Sequence, residues 1–83
     1  MTEYRIVVKT RLPEELEDFP ELNFETFVLS VTGADTGAEL PAYTNLAESI
    51  VALQAPMERE GRTYLPVHAW VEAKSEPKWE RVR

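Results

Sequence analysis

His68 is the only histidine of the chain, and Glu72, four residues on, shares its face of an alternating segment. Imidazole and carboxylate are the groups with which a protein holds zinc or moves a proton. In an extended strand, however, four residues span about 13 Å, too far for the pair to close on one ion. The chain has no cysteine to complete such a site. It also has no Gly-x-Ser-x-Gly turn that would present an activated serine to the histidine. No metal, cofactor or catalytic set is expected, and His68 is expected to serve structure or contact a partner.

Asp35-Thr36-Gly37 matches the tripeptide that carries the catalytic carboxylate of aspartic proteases. In those enzymes an apolar strand runs directly into the motif, and a hydrophobic segment ending in glycine supports it later. Here Gly33 and Ala34 intervene, and the only later glycine, Gly61, lies between Glu60 and Arg62. Asp, Thr and Gly are ordinary turn residues. A surface turn is expected, and the chain is not expected to be an enzyme.

The chemistry that remains is contact chemistry. Nine acidic residues and no Lys or Arg lie between Leu12 and Met57, whereas residues 1 to 11 sum to +2 and residues 58 to 83 to +1, giving −6 in all. Such segregation lets a protein present opposite charges on different surfaces and steer a charged partner to one of them. The densest part is Glu14, Glu15, Glu17, Asp18, Glu21 and Glu25, interspersed with Leu16, Phe19 and Leu22. A charge run of this kind is either a solvated face or a docking surface for a basic patch. The apolar residues within it supply the anchor that a specific interface needs in addition to charge.

The elements that position these groups follow from periodicity. Residues 4 to 11 alternate Tyr4, Ile6 and Val8 against Arg5, Val7 and Lys9, the period of a strand with one buried face. Pro13 and the acids after it predict a short helical turn or loop that Pro20 stops. Phe24 to Thr32 is rich in β-branched and aromatic residues and reads as a second strand. Pro41 ends the glycine-containing loop. Tyr43, Leu46, Ile50, Leu53 and Met57 then fall on one helical stripe, with Asn45 as N-cap and Glu48 as its capping-box partner. The regular helix is expected over 46 to 54, with a further kinked turn through Glu60 before Gly61, because Pro56 disfavours helical geometry at Ala55.

From Leu65 the chain alternates again, placing Leu65, Val67, Ala69, Val71 and Ala73 toward the helix and Pro66, His68, Trp70, Glu72 and Lys74 away from it. Ser75-Glu76-Pro77 connects to a last strand, Lys78 to Val82. An even register pairs Lys74 with Trp79, Glu72 with Arg81 and Val71 with Val82. An odd register would oppose Lys74 to Lys78 and Glu72 to Glu80, and like charges directly opposite are destabilising. The even register is therefore expected. The predicted architecture is one α+β domain spanning residues 1 to 83: a four-stranded antiparallel sheet, β-β-α-β-β, with one helix on one face.

One helix covers one face, so His68, Trp70 and Trp79 are expected on the open side with Arg5, Lys9 and Arg81. Trp and Arg are the residue types most frequent at binding hot spots. The alternative is that the tryptophans simply cover the sheet, with Lys74 over Trp79 as a cation–π pair. Basic and aromatic residues on a sheet also suit single-stranded nucleic acid. The −9 central segment repels phosphate, so nucleic acid is not the expected partner. The start of the chain lacks the basic and apolar regions of a signal peptide, and no apolar run approaches the ~20 residues that span a bilayer. Cytoplasmic localisation without membrane association is expected.

Tyr4-Arg5-Ile6-Val7-Val8, Pro66-Val67-His68-Ala69-Trp70-Val71-Glu72 and Lys78-Trp79-Glu80-Arg81-Val82 resemble the small accessory proteins of actinobacteriophages, particularly mycobacteriophages. The resemblance covers about a third of the chain and no functional motif, so it carries over no site residue. It implies a protein acting in the host cytoplasm by binding a host protein and inhibiting or redirecting it. The expected function is thus a non-enzymatic protein-binding module. Its candidate contacts are Glu14, Glu15, Leu16, Glu17, Asp18, Phe19 and Glu21 in the acidic segment, and His68, Trp70 and Trp79 on the sheet. The alternative is a structural protein that forms a homodimer through the open sheet face.

Overall fold

A computed structural model describes residues 3 to 31, 40 to 75 and 78 to 82. The strands are β1 (Tyr4–Arg11), β2 (Phe24–Val31), β3 (Met57–Arg59), β4 (Arg62–Ser75) and β5 (Lys78–Arg81), and the one α-helix, α1, is Leu40–Ala52. The sheet order is β2-β1-β4-β3, with β5 paired to the far end of β4, and every pairing is antiparallel. The α+β class and the one-sided helix are as the sequence predicts, with β3 as an additional strand. The Asp35-Thr36-Gly37 turn lies outside the described residues.

β1 is the central strand, and its alternation places Ile6 and Val8 in the core with Phe27, Leu12, Tyr64, Val71, Ala47 and Ile50. Full burial of an aliphatic side chain such as Ile6, Val8 or Val71 stabilises the fold by about 1.5–3 kcal/mol each. The register of β4 with β5 is the even one: Lys74 opposes Trp79 and Glu72 opposes Arg81. The Val82 N–H donates to the Val71 carbonyl at 2.9 Å.

Four expectations need correction. The first concerns the facing of β4. Lys9 pairs with His68 but Thr10 pairs with Pro66, so Val67 is an extra residue in a bulge. A bulge reverses the inward and outward positions on its two sides. Ala69, Val71 and Ala73 point to the core as expected, while on the other side Tyr64 and Pro66 are fully buried. Val67 is 53% exposed, and Leu65 opposes Arg11 on the open face.

The helix is also shifted. It begins at Leu40, with Pro41 in the first turn, where a missing N–H removes no intrahelical bond. Asn45 is therefore an exposed mid-helix residue and caps nothing. The stripe that meets the sheet is Leu40, Tyr43, Ala47 and Ile50, whereas Leu46 and Leu53 are 49% and 80% exposed. Ala47 replaces Leu46 at the contact because a methyl group lets the helix axis approach the strands closely. The helix ends in a Schellman motif: Ala55 N–H donates to Ile50 O and Gln54 N–H to Val51 O, with Gln54 left-handed at φ 50°.

In place of an added helical turn, Met57–Arg59 forms β3. It returns to β4 through Glu60 and Gly61, whose φ values of 51° and 78° make a two-residue turn with both residues left-handed. Finally, of the helical turn or loop expected after Pro13 the structure shows the loop, and the role given to Pro20 is reversed. Pro20 starts a short 3-10 turn, Pro20–Asn23, because its fixed φ suits a first helical position; it does not stop one.

Candidate protein-contact surfaces

The acidic segment is a loop fastened at three places. Asn23 is buried, and its amide imitates a strand partner for Leu16: Oδ1 accepts from the Leu16 N–H at 2.7 Å and Nδ2 donates to the Leu16 carbonyl at 3.3 Å. The Tyr64 hydroxyl donates to the Leu22 carbonyl at 2.8 Å, and the Leu12 N–H donates to the Asn23 carbonyl at 2.8 Å. Leu16 packs on the core. Glu14, Glu15, Glu17, Asp18 and Glu21 are left exposed on the loop, as is Phe19 at 56%. Glu25 belongs to β2 and is taken by Arg59 in a 2.6 Å ion pair, so it stands apart from the display. Arg59 also donates to the Thr26 carbonyl and stacks over Phe27, tying β3 across the core to β2.

On the open face the aromatic residues are linked to each other. Glu72 lies opposite both Arg5 and Arg81. One of its oxygens receives Arg5 Nε at 2.8 Å and Nη2 at 2.7 Å, and the other receives Trp70 Nε1 at 2.9 Å. The Arg5 guanidinium stacks 4.2 Å from the Trp79 ring, and Arg81 stacks 5.2 Å from the Trp70 ring. Lys74, placed over Trp79 in the alternative where the tryptophans simply cover the sheet, instead reaches Glu3 at 3.6 Å. A planar guanidinium covers an aromatic face better than a compact ammonium does, so Arg5 takes that position. His68 is exposed, with its ring 5.4 Å from Trp70. Among the described residues no group of three or more His, Cys, Asp or Glu side chains could hold a metal ion. No helix among them is long and apolar enough to cross a membrane.

No known family, curated protein or solved structure matches this chain. Its surfaces must therefore be weighed by their own chemistry. The structure leaves the acidic residues and Phe19 exposed on one loop, and places His68, Trp70 and Trp79 on the open sheet face. The residues that sequence reasoning missed are Asn23, which fastens the loop, and Phe24 and Val67, which line one groove from either side of β1. Asn23 carried a faint signal as a polar residue directly before a strand. Val67 carried none.

Glu72 gives the open face a pH signature. The Trp70 hydrogen bond lowers its pKa most, partial burial opposes this, and the hydrogen bond and charge of Arg5 lower it further. A carboxylate with a depressed folded pKa stabilises the fold fully above its ordinary value, here 4.5, and the contribution is lost as pH falls through the lowered value. Urea midpoints measured between about pH 6 and pH 2 should fall less steeply for Glu72→Gln than for the parent chain. Parallel curves for the two chains would mean that the carboxylate adds nothing to acid sensitivity.

Proposed function

We propose that this chain is a non-enzymatic protein-binding module that docks its acidic loop, residues 12 to 23, on a basic patch of another protein. The observation that carries this reading is the combination of display and fastening: five exposed carboxylates and an exposed phenylalanine share a loop whose backbone Asn23 and Tyr64 hold in place. A loop ordered before contact loses little conformational entropy on binding, and Phe19 supplies the apolar centre within a charged rim. The tryptophans are the weaker contact candidates, because Arg5 and Arg81 already occupy faces of both rings. The resemblance to actinobacteriophage accessory proteins supports a phage origin and a host bacterial protein as the target, inhibited or redirected in the host cytoplasm.

The test compares the parent chain with a Glu14→Gln, Glu15→Gln, Glu17→Gln, Asp18→Asn variant as bait in an actinobacterial lysate, at low and high salt. A protein enriched by the parent at low salt should be lost at high salt and should be captured at least about tenfold less by the variant, since opposed charges steer and hold such complexes. Equal capture by both baits would remove the loop from the interface.

A further inference from the structure

We propose that the open sheet face takes the acidic loop of a second copy of this chain, giving a reciprocal homodimer that forms with no other protein present. The site is a groove of about 430 Å³ on β1, β2 and β4, walled by Lys9, Arg11, Phe24, Thr26 and Val67. The bulge turns Val67 outward on β4, across β1 from Phe24 on β2; these two residues are 53% and 65% exposed. Two apolar side chains beside two cations suit an occupant that is apolar at its centre and acidic at its rim. Lys9 donates to the Thr26 hydroxyl at 2.8 Å and meets no carboxylate among the described residues, and Arg11 has only the loose 3.9 Å approach of Glu15. Glu25, the acid in the groove wall, is neutralised by Arg59 at 2.6 Å.

The same chain carries an occupant of that description. Phe19, between Glu17, Asp18 and Glu21 in sequence, is exposed on the loop that leaves the sheet at Arg11 and returns to it at Phe24. The two ends of the loop are therefore two walls of the groove. Loop and groove thus meet at one end of the sheet, at Arg11 and Phe24, so a twofold axis near that end can bring each copy's loop to the other's groove. The rest of the open face adds to this polarity, since Arg5, Lys9, Arg11, Lys74 and Arg81 outnumber the acids that meet them there, Glu72, Glu3 and Glu15, in a protein of net charge −6. An anionic occupant finds cations here in Lys9 and Arg11.

Sedimentation equilibrium of the purified chain, with charge-reversed variants, tests the proposal. The parent should show a concentration-dependent dimer that weakens as salt rises from about 0.05 to 0.5 M. Lys9→Glu/Arg11→Glu and Glu17→Lys/Asp18→Lys should each associate at least about tenfold more weakly, because like charges then face each other. All four positions are exposed, so both variants should keep the parent's urea midpoint. Mixed in equal amounts, the two variants should recover a dimer, since each reversed groove then faces a reversed loop. A parent chain monomeric up to about 1 mM, or a dimer indifferent to all four reversals, would overturn the proposal. The dimer would occupy the loop proposed to contact another protein, so the two contacts exclude each other, and a monomeric parent chain leaves the lysate experiment to decide the loop's partner by itself.

Discussion

Replacing Tyr64 by alanine is expected to remove about 3–5 kcal/mol of folding stability, the usual cost of deleting a buried aromatic side chain. An 83-residue domain at the common ~0.05–0.15 kcal/mol per residue carries about 4–12 kcal/mol in total, so this one change takes a large share. Tyr64 is among the most completely buried side chains, it meets Phe27 edge-on with ring centroids 6.0 Å apart, and its hydroxyl binds the Leu22 carbonyl. The ring holds the closed end of the sheet together, and the hydroxyl holds the loop to it. Tyr64→Phe separates these roles: it keeps the ring and should cost only about 0.5–1.5 kcal/mol, the net value of one hydrogen bond. Urea denaturation should show a small midpoint shift for the phenylalanine variant and a chain close to unfolding for the alanine variant. Equal small losses for both would mean that the ring is not central to the core.

The contrast between Tyr64 and Val67 explains how far the sequence could be read. β1 was legible because its polar residues, Arg5 and Lys9, punctuate the apolar ones and leave one parity for the core. The β4–β5 register was legible because one alternative opposed like charges. Tyr64-Leu65-Pro66-Val67 is apolar throughout, so either parity satisfies burial, and the bulge that decides between them is set by Thr10 meeting Pro66 across the strands. Pro66 has no N–H to give to a ladder, a feature that tolerates a bulge without specifying one. β3 was hidden for a related reason. Glu60 is an uncommon residue in a left-handed turn position, where Asn or Asp would have announced the hairpin. In the helix, Leu46 and Ala47 both fit a 3.6-residue period, and only the distance to the sheet chose the smaller. The acidic segment was visible as charge, but its fastening depends on Asn23 reaching back seven residues to Leu16, a contact no local pattern encodes.

Asn23→Ala should therefore matter more than its size suggests. The substitution removes two hydrogen bonds in a buried setting and leaves the Leu16 N–H and carbonyl without their partners, an expected loss of about 1–3 kcal/mol. The effect should be local first. Leu16 amide exchange should accelerate strongly, while the amides of Ile6 and Val71 keep the protection that global stability gives them. Asn23→Asp should be no better, because a carboxylate can still accept from the Leu16 N–H but opposes a second oxygen to the Leu16 carbonyl and buries a charge. Every carboxylate of the loop remains in the alanine variant, so its net charge is that of the parent. If docking needs an ordered display, capture of the basic partner should fall although charge is unchanged, since the loop must then be ordered at the moment of contact. Undiminished capture by a chain whose Leu16 amide exchanges freely would show that charge alone suffices. The ordering by Asn23 and Tyr64 would then serve the core, and the loop would act as a flexible polyanion, for which the position of Phe19 is immaterial.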